Sequence, residues 1–271
     1  MTRPLTSPPS RLRAVLSLLL TGAFLAVASP AAAQSGDPAP GSSTTSTPAT
    51  VPTTNPAPSG VQQISDERVS TYWAHSAGDD IVHFIPTDRG REVARLHLLT
   101  EDGAAEVYVV LRRYVDGAGR TWLRIRVPRR PNGTTGWVLA TSLGPIHRIS
   151  THLVIDRGHL RAFLYNAGRV VWSSPVGVGK ASTPTPRGNF WIREKLVALG
   201  GSDPIYGPYA LGTSAYSVLT DWPGGGVVGI HGTNQPQLIP GRPSHGCVRI
   251  PNPAVTRLYH LIPVGTPVTI L

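Results

Sequence analysis

From residue 149 onward, short segments rich in β-branched and aromatic residues alternate with turn residues. The segments STHLVID, HLRAFLY and RVVWSSPVGVG are separated by turns at Arg157-Gly158 and at Asn166 to Gly168, and GNFWIREKL, VVGIH and TPVTIL follow them. The first three segments have the pattern of a strand meander. Closely spaced strands favour antiparallel pairing, so residues 149–271 are predicted to form a mostly-β sandwich rather than a parallel α/β sheet.

One short helix is predicted near the C-terminus, in the segment NPAVTRLYHLI. Asn252 is expected to cap its N-terminus, and Pro253 suits the first turn. The apolar residues that follow recur at the spacing of one helix face: Val255, Leu258, Leu261 and Ile262.

Residues 65–145 are predicted to form a second, smaller β unit. EVYVVLRRY and RTWLRIRV flank a turn at Asp116-Gly117, which is typical of a hairpin. Apolar residues from Leu123 to Val127 alternate with two arginines, which is the period of a half-buried strand.

The segment PRRPNGTTGWV, with Trp122 upstream, resembles the last strands of bacterial Src-homology-3-like barrels. The resemblance implies a small SH3-like β-barrel over residues 65–145, in front of the larger unit. Trp122 and Trp137 are expected to lie in its core rather than to form a ligand platform.

Residues 1–33 have the three-part pattern of a secretory signal peptide. Arginines at positions 3, 11 and 13 precede an apolar run from Ala14 to Ala28, which is short for a membrane span. Ala31 and Ala33 fit the small-residue cleavage pattern. The chain is therefore predicted to be exported to the cell wall space or secreted after cleavage at Ala33, with an uncleaved anchor as the alternative.

Residues 34–62 consist mostly of Pro, Ser, Thr, Ala and Gly, which predicts a disordered tether because such a composition cannot bury a core. The formal charge of +10 suits either an anionic envelope surface or a solvated basic face. No motif indicates a nucleic-acid module, and no membrane contact is expected once the signal peptide is removed.

Cys247 is the one cysteine among the 271 residues, so no disulfide can form within the chain. A thiol becomes a nucleophile where an imidazole or backbone dipoles stabilise its thiolate. In the string S-H-G-C, Gly246 allows a turn, the N–H of Cys247 can face an oxyanion, and His245 is a nearby base. The alternative is a buried cysteine that acts as a small hydrophobic residue.

His231 is a second candidate base, 16 residues before Cys247. An apolar segment ends at His231, and the Pro/Gly-rich loop after it is long enough to bring the two side chains together. The alternative is a hydrogen-bonded histidine at the end of a strand.

His231, His245 and Cys247 are also residue types that bind zinc. Residues 224–271 contain no Asp or Glu that could act as a general base beside such a metal, so no metal is expected. The segment GVGKAS is not a phosphate-binding loop, because the first Gly and the final Ser or Thr of that motif are missing. No cofactor is therefore expected.

The stretch HGTNQPQLIPGRPSHGCVR closely resembles the signature of the YkuD-type L,D-transpeptidases, in which a histidine and a loop precede S-H-G-C. The resemblance extends upstream through VGVGKASTPTPRGNFWI and GPYALGTSAYS and covers about residues 150–271. It implies the β-sandwich-like catalytic domain of a bacterial envelope enzyme. Arg249 stands where some relatives carry asparagine, which leaves the acceptor open.

The resemblance also implies a role for each residue of the motif. Cys247 would attack the amide between the third, diamino acid residue of a peptidoglycan stem and its terminal D-alanine. His231 would be the general base, with its ring held by the backbone carbonyl of Gly232. The N–H groups of Cys247 and Gly246 would stabilise the oxyanion, and His245 would orient the substrate or support the site.

Four further residues are candidates for binding the stem: Ser244, Arg249, Tyr206 and Tyr209. Ser244 is expected to support the turn before Cys247. Arg249 is expected either to pair with a stem carboxylate or to form a structural ion pair. Tyr206 and Tyr209 lie in SDPIYGPYALG, which is predicted to be a loop that borders the substrate.

These features predict an exported peptidoglycan L,D-transpeptidase that joins two stems through a cysteine acyl-enzyme and releases D-alanine. Its expected partners are peptidoglycan stems, and the SH3-like domain would bind other wall polymers or position the active site. The alternatives are a carboxypeptidase, an endopeptidase or a protein-to-wall linkage enzyme of the same fold, and a catalytically silent wall-binding protein.

Overall fold

A computed structural model describes residues 60–197, 205–221 and 223–271. The predicted signal peptide and nearly all of the predicted tether lie outside these ranges. Within them the protein is mainly β, as predicted, with two sheets and one α-helix.

The first sheet is antiparallel and has eight strands. These are β1 (Gln62–Gln63), β2 (Thr71–His75), β3 (Ile81–His83), β4 (Glu92–Arg95), β5 (Val107–Val115), β6 (Thr121–Arg126), β7 (Thr135–Leu139) and β8 (His147–Ile149). The strand order is β4-β3-β7-β6-β5-β2-β8, and β1 pairs with β5. The predicted hairpin is confirmed, because β5 pairs with β6 across the turn at Asp116, whose carboxylate accepts from the N–H groups of Ala118 and Arg120.

The side chains of β6 alternate as predicted between buried apolar residues and half-buried arginines. Trp122 and Trp137 are both buried, which confirms that they are core residues. The assignment of this sheet to the SH3-like class stays a prediction.

The second sheet has ten strands. These are β9 (Thr151–Asp156), β10 (Arg161–Asn166), β11 (Arg169–Pro175), β12 (Gly177–Gly179), β13 (Gly188–Val197), β14 (Tyr209–Tyr216), β15 (Val227–His231), β16 (Gly241–Ser244), β17 (Val248–Arg249) and β18 (Pro267–Ile270). The strand order is β11-β10-β9-β18-β13-β14-β15-β17-β12-β16. The predicted meander is present as β9 to β11.

Three strand pairs depart from the antiparallel pairing expected from the sequence. β18 runs parallel to β9, β15 to β17, and β12 to β16. Each of these pairs is separated by a long stretch of chain, and a long connection permits the parallel direction that a hairpin turn forbids. The prediction used only strands that are neighbours in the sequence, so it could not identify these pairs.

The helix α1 (Asn252–Leu261) lies between β17 and β18 and buries Val255 and Leu258 against the sheet. The predicted N-cap is wrong, because Pro251 occupies that position and no side chain caps the helix. The Asn252 carboxamide oxygen instead accepts from the N–H of Thr233 at 2.8 Å. It therefore ties the start of α1 to the loop that follows β15.

A buried seam joins the two sheets. Trp191 of β13 packs with Trp73 and Val107 of the first sheet, and its indole N–H donates to the Val107 carbonyl at 2.7 Å. Only glycine fits at position 265, because a Cβ there would lie 2.4 Å from the Trp73 ring.

The polar part of this seam is called here the Arg193 cluster: Thr100, Glu101, Glu106, Arg193 and Glu194. Arg193 is 2% exposed and binds the carboxylate of Glu106 with its Nε and Nη2 groups. Its Nη1 lies 2.9 Å from Glu101, while the Thr100 hydroxyl donates to Glu194 at 2.6 Å. Arg193 and Glu106 compensate each other's buried charge across the two sheets, so removing either partner would leave an unpaired buried charge.

Candidate active site

The strand pairing of the second sheet brings the two predicted catalytic side chains to one place. β15 lies between β14 and β17, and its last residues pair with Val248 and Arg249. His231 ends β15 and Cys247 immediately precedes β17, so the 15-residue connection folds back as its composition predicted.

A tight turn precedes the cysteine. Gly246 has φ of +134°, which favours glycine, and a Cβ there would lie 3.0 Å from the Cβ of Ser217. The Ser244 hydroxyl donates to the Cys247 carbonyl at 2.6 Å and accepts from the Gly246 N–H at 3.1 Å. Ser244 thus closes the turn. Its hydroxyl also accepts the hydrogen bond from the Gly246 N–H, the group that was expected to stabilise the oxyanion. In this structure Gly246 therefore acts as a turn residue.

The thiol and the imidazole flank the same glycine of β15. The Gly229 N–H donates to Cys247 Sγ at 3.4 Å. A Cβ built on Gly229 would lie 3.8 Å from His231 Cδ2 and 4.0 Å from Cys247 Sγ. Both side chains therefore lie next to Gly229.

His231 is held in one orientation. Its Nδ1 lies 2.6 Å from the Gly232 carbonyl oxygen, which can only accept, so Nδ1 carries the proton. Nε2 is then the basic nitrogen. This is the contact that the family resemblance implied for Gly232.

Burial favours the neutral form of both groups. It lowers the pKa of His231 to about 4, and the nearby charge of Arg249 acts in the same direction. The half-buried position of Cys247 raises the pKa of its thiol, although the Gly229 hydrogen bond and the Arg249 charge oppose the rise. The surroundings therefore favour a thiol and an imidazole over a thiolate–imidazolium pair.

Arg249 lies beside both groups and forms no ion pair with a carboxylate of the described residues. Its Nη1 donates to the Gln235 side-chain oxygen at 3.2 Å. Its buried Nε–H has no acceptor among residues 60–197, 205–221 and 223–271. The structural ion pair considered from the sequence is therefore not formed within the described part of the chain.

His245 is exposed, and its Nε2 lies 3.1 Å from the Nζ of Lys180, which donates.

No group of three or more His, Cys, Asp or Glu side chains that could hold a metal is found in the described ranges. In the same ranges no helix is long and apolar enough to cross a membrane.

The two tyrosines of the predicted loop differ in position. The edge of Tyr206 approaches the His231 ring, with centroids 4.8 Å apart, and Tyr206 is 52% exposed. Tyr209 begins β14, so the loop prediction is wrong there. Its ring stacks on Tyr259 of α1 at 4.2 Å and packs against the core.

Sequence reasoning missed Gly229 and Thr185. The buried Thr185 hydroxyl donates to the Gly246 carbonyl at 2.7 Å and accepts from the Gly179 N–H at 2.9 Å. Thr185 therefore fixes the cysteine turn from a distant segment. Its one visible signal was its place in TPTP, within the stretch that resembles the transpeptidases.

The comparisons with known proteins agree with this geometry. A family model for the YkuD L,D-transpeptidase catalytic domain matches residues 150–270. The YkuD protein of Bacillus subtilis (strain 168) is 35% identical over 124 residues, which are 46% of this chain and 68% of that protein. The chain belongs to the L,D-transpeptidase catalytic domain family. The family resemblance seen in the sequence is thereby confirmed for this region.

Other L,D-transpeptidases match over similar spans. The YkuD protein of Bacillus licheniformis is 38% identical over 107 residues, 40% of this chain and 57% of that relative. The NMR structure of the catalytic domain from the Enterococcus faecium L,D-transpeptidase has a TM-score of 0.36 and 26% identity, covering 46% of this chain and 99% of that domain.

Proposed function

We propose that this protein is an exported peptidoglycan L,D-transpeptidase that forms an acyl-enzyme on Cys247. The observation that supports this most is the placement of the Cys247 thiol and the His231 imidazole next to the same residue, Gly229. Membership of the L,D-transpeptidase family supplies the reaction class. Export rests on the sequence of residues 1–33.

The first half-reaction breaks the amide of the donor stem. Cys247 Sγ attacks the carbonyl carbon between the diamino acid and D-alanine while its proton passes to His231 Nε2. Because the resting thiol is neutral, proton transfer and attack are coupled. The backbone N–H of Cys247 is the donor we assign to the oxyanion.

Collapse of the tetrahedral intermediate breaks the C–N bond. His231 Nε2 gives its proton to the leaving amine, and D-alanine departs. A thioester between the stem and Cys247 remains, and His231 is again a neutral base.

The second half-reaction reverses these roles. The side-chain amine of another stem attacks the thioester carbon as His231 takes one of its protons. The C–S bond then breaks, the proton returns to the sulfur, and the two stems are joined by an amide. Arg249 is proposed to bind a stem carboxylate with the N–H groups that the described residues leave available.

The test is mass spectrometry of the products of residues 34–271 mixed with a tetrapeptide-stem muropeptide. Wild-type protein is expected to give a cross-linked dimer that lacks one D-alanine, and Cys247→Ala is expected to give none. A cysteine-dependent tripeptide alone would make the protein a carboxypeptidase. Unchanged substrate would favour protein-to-wall linkage or a silent domain.

A further inference from the structure

A cleft of about 530 Å³ opens at the seam between the two sheets, close to the cysteine turn. Its lining is mostly apolar, and Val218 within it is 63% exposed. Its walls come from loops of both sheets and from the end of β14: Arg130, Pro131 and Asn132 between β6 and β7, Pro184 and Pro186 between β12 and β13, and Tyr216, Ser217 and Val218 at and after the end of β14.

Arg130 fixes the two walls relative to each other. Its guanidinium donates to the carbonyls of Ser217, Leu219 and Gly225 at 2.9 to 3.0 Å. It also lies 4.8 Å from the centroid of the Tyr216 ring. One side chain of the first sheet thus holds the segment after β14 by three hydrogen bonds and a cation–π contact.

Asn132 adds a second clamp. Its side-chain amide donates to the Tyr216 carbonyl at 2.8 Å and accepts from the Tyr216 N–H at 3.0 Å. This reciprocal pair satisfies both backbone groups of the residue that ends β14. The first sheet therefore supplies a rigid wall of the cleft.

The cleft reaches the nucleophile through Gly246. Ser217 lies against Gly246, as the 3.0 Å distance between the Ser217 Cβ and the Gly246 Cβ position shows. Thr185 lies between the two wall prolines and donates to the Gly246 carbonyl. The second-sheet wall is thus in contact with the residue that precedes Cys247.

The strand β15 defines which side of the thiol the cleft occupies. Val227 at its start pairs with Tyr216 of the cleft wall, whereas His231 is at its end. At about 3.3 Å per residue these ends are roughly 13 Å apart. The Sγ atom lies between them, at Gly229. The cleft and His231 are therefore on opposite sides of the thiol.

The chemistry of the proposed reaction assigns an occupant to each side. The leaving amine and the incoming amine both exchange a proton with His231, so both must lie on its side of the sulfur. The acyl part of the donor stays bound to Cys247 and must extend the other way. We propose that the cleft binds this retained part of the donor stem, and this inference rests on the proposed function.

The lining of the cleft suits that occupant. A peptidoglycan stem is a short peptide that carries methyl groups as well as free carboxylates. The mostly apolar lining, in which Val218 is exposed, favours contact with the methyl groups.

The test fills the cleft with Val218→Trp and compares it with Val170→Trp, an exposed valine of β11 that lines no part of the cleft. Val218→Trp is expected to raise the KM for the tetrapeptide donor roughly tenfold or more and to leave the KM for the acceptor amine unchanged. Alkylation of Cys247 by iodoacetamide should proceed at the wild-type rate in both variants, which shows that the nucleophile and fold are intact. An unchanged donor KM, or a rise in the acceptor KM alone, would overturn the proposal.

A binding measurement tests this inference independently of the proposed reaction. In Cys247→Ala protein, calorimetric titration with the tetrapeptide stem is expected to show binding that Val218→Trp weakens and Val170→Trp does not. That result would support the cleft even if wild-type protein formed no cross-link. Absence of binding, or an affinity that Val218→Trp does not change, would rule out the cleft as the donor site.

Discussion

His231 of the Cys247 site and Arg193 of the Arg193 cluster are both buried basic side chains, yet burial shifts only one of them towards the neutral form. His231 is 4% exposed and has no carboxylate partner among the described residues, so burial lowers its pKa and favours the neutral imidazole. Burial alone would also lower the pKa of Arg193, but the hydrogen bonds and charge of Glu106 raise it. A buried base therefore keeps its charge only where the fold supplies a counter-charge.

The two arrangements serve different ends. Each charge of the Arg193–Glu106 pair depends on its partner, so the seam tolerates the loss of neither group. Neutral groups can accept and release a proton without leaving an unpaired buried charge at rest, which suits a general base. The comparison predicts a different response to mutation in each place.

The largest effect is expected at the Cys247 site. His231→Gln removes the basic nitrogen and should slow acylation of Cys247 by the donor stem roughly 10²- to 10⁴-fold. Because the resting imidazole is uncharged, the thermal unfolding midpoint should change little. Single-turnover mass spectrometry of the acyl-enzyme measures the rate, with the exposed His159→Gln as the matched control. Retention of wild-type acylation in His231→Gln would remove it as the base.

A smaller but purely structural effect is expected in the Arg193 cluster. Arg193→Met leaves Glu106 buried without its partner and should lower the free energy of unfolding by about 3–5 kcal/mol. Urea unfolding followed by tryptophan fluorescence measures this change. Arg120→Met breaks an exposed ion pair and should have far less effect. Equal effects of the two substitutions would contradict the importance of burial.

The smallest effect is expected at Glu194, to which no cation of the described residues is hydrogen-bonded. Burial raises the pKa of this carboxyl, and the Thr100 hydrogen bond only partly offsets the rise. Because the folded-state pKa is raised, the contribution of Glu194 to stability is highest at low pH and declines as pH rises through that pKa. Glu194→Gln should remove this decline and alter the unfolding free energy by less than about 1 kcal/mol at low pH. Unfolding curves of the wild type and the variant, measured from pH 4.5, the ordinary pKa of this carboxyl, upward, check both points; a steeper decline in the variant would refute them.

The sequence predicted the parts of the site that depend on local order. Cys247 and Ser244 belong to one short turn, and the contact between His231 and Gly232 joins adjacent residues, so a motif carries them. The β6 alternation was visible for the same reason, since a two-residue period needs no tertiary information. The roles assigned to these residues remain proposals.

Features that depend on distant pairing were not predictable. Gly229 meets Cys247 only because β15 pairs in parallel with β17, and Arg130 reaches the segment after β14 from the other sheet. Tyr209 was assigned to a loop because the prolines and glycines around it conceal a strand that is stabilised by its neighbours. Asn252 looked like a helix cap, but its side chain is used by the loop after β15.

The hydrogen bond from Gly229 to a protonated sulfur also bears on how long the protein stays usable. Peroxide converts thiolates to sulfenic acid far faster than it attacks thiols, and further oxidation is irreversible. A cysteine whose pKa is raised by burial exposes little thiolate to such oxidants between turnovers. The same burial that makes the nucleophile wait for its substrate therefore protects a lone cysteine, with no disulfide partner in the chain, from chemical ageing.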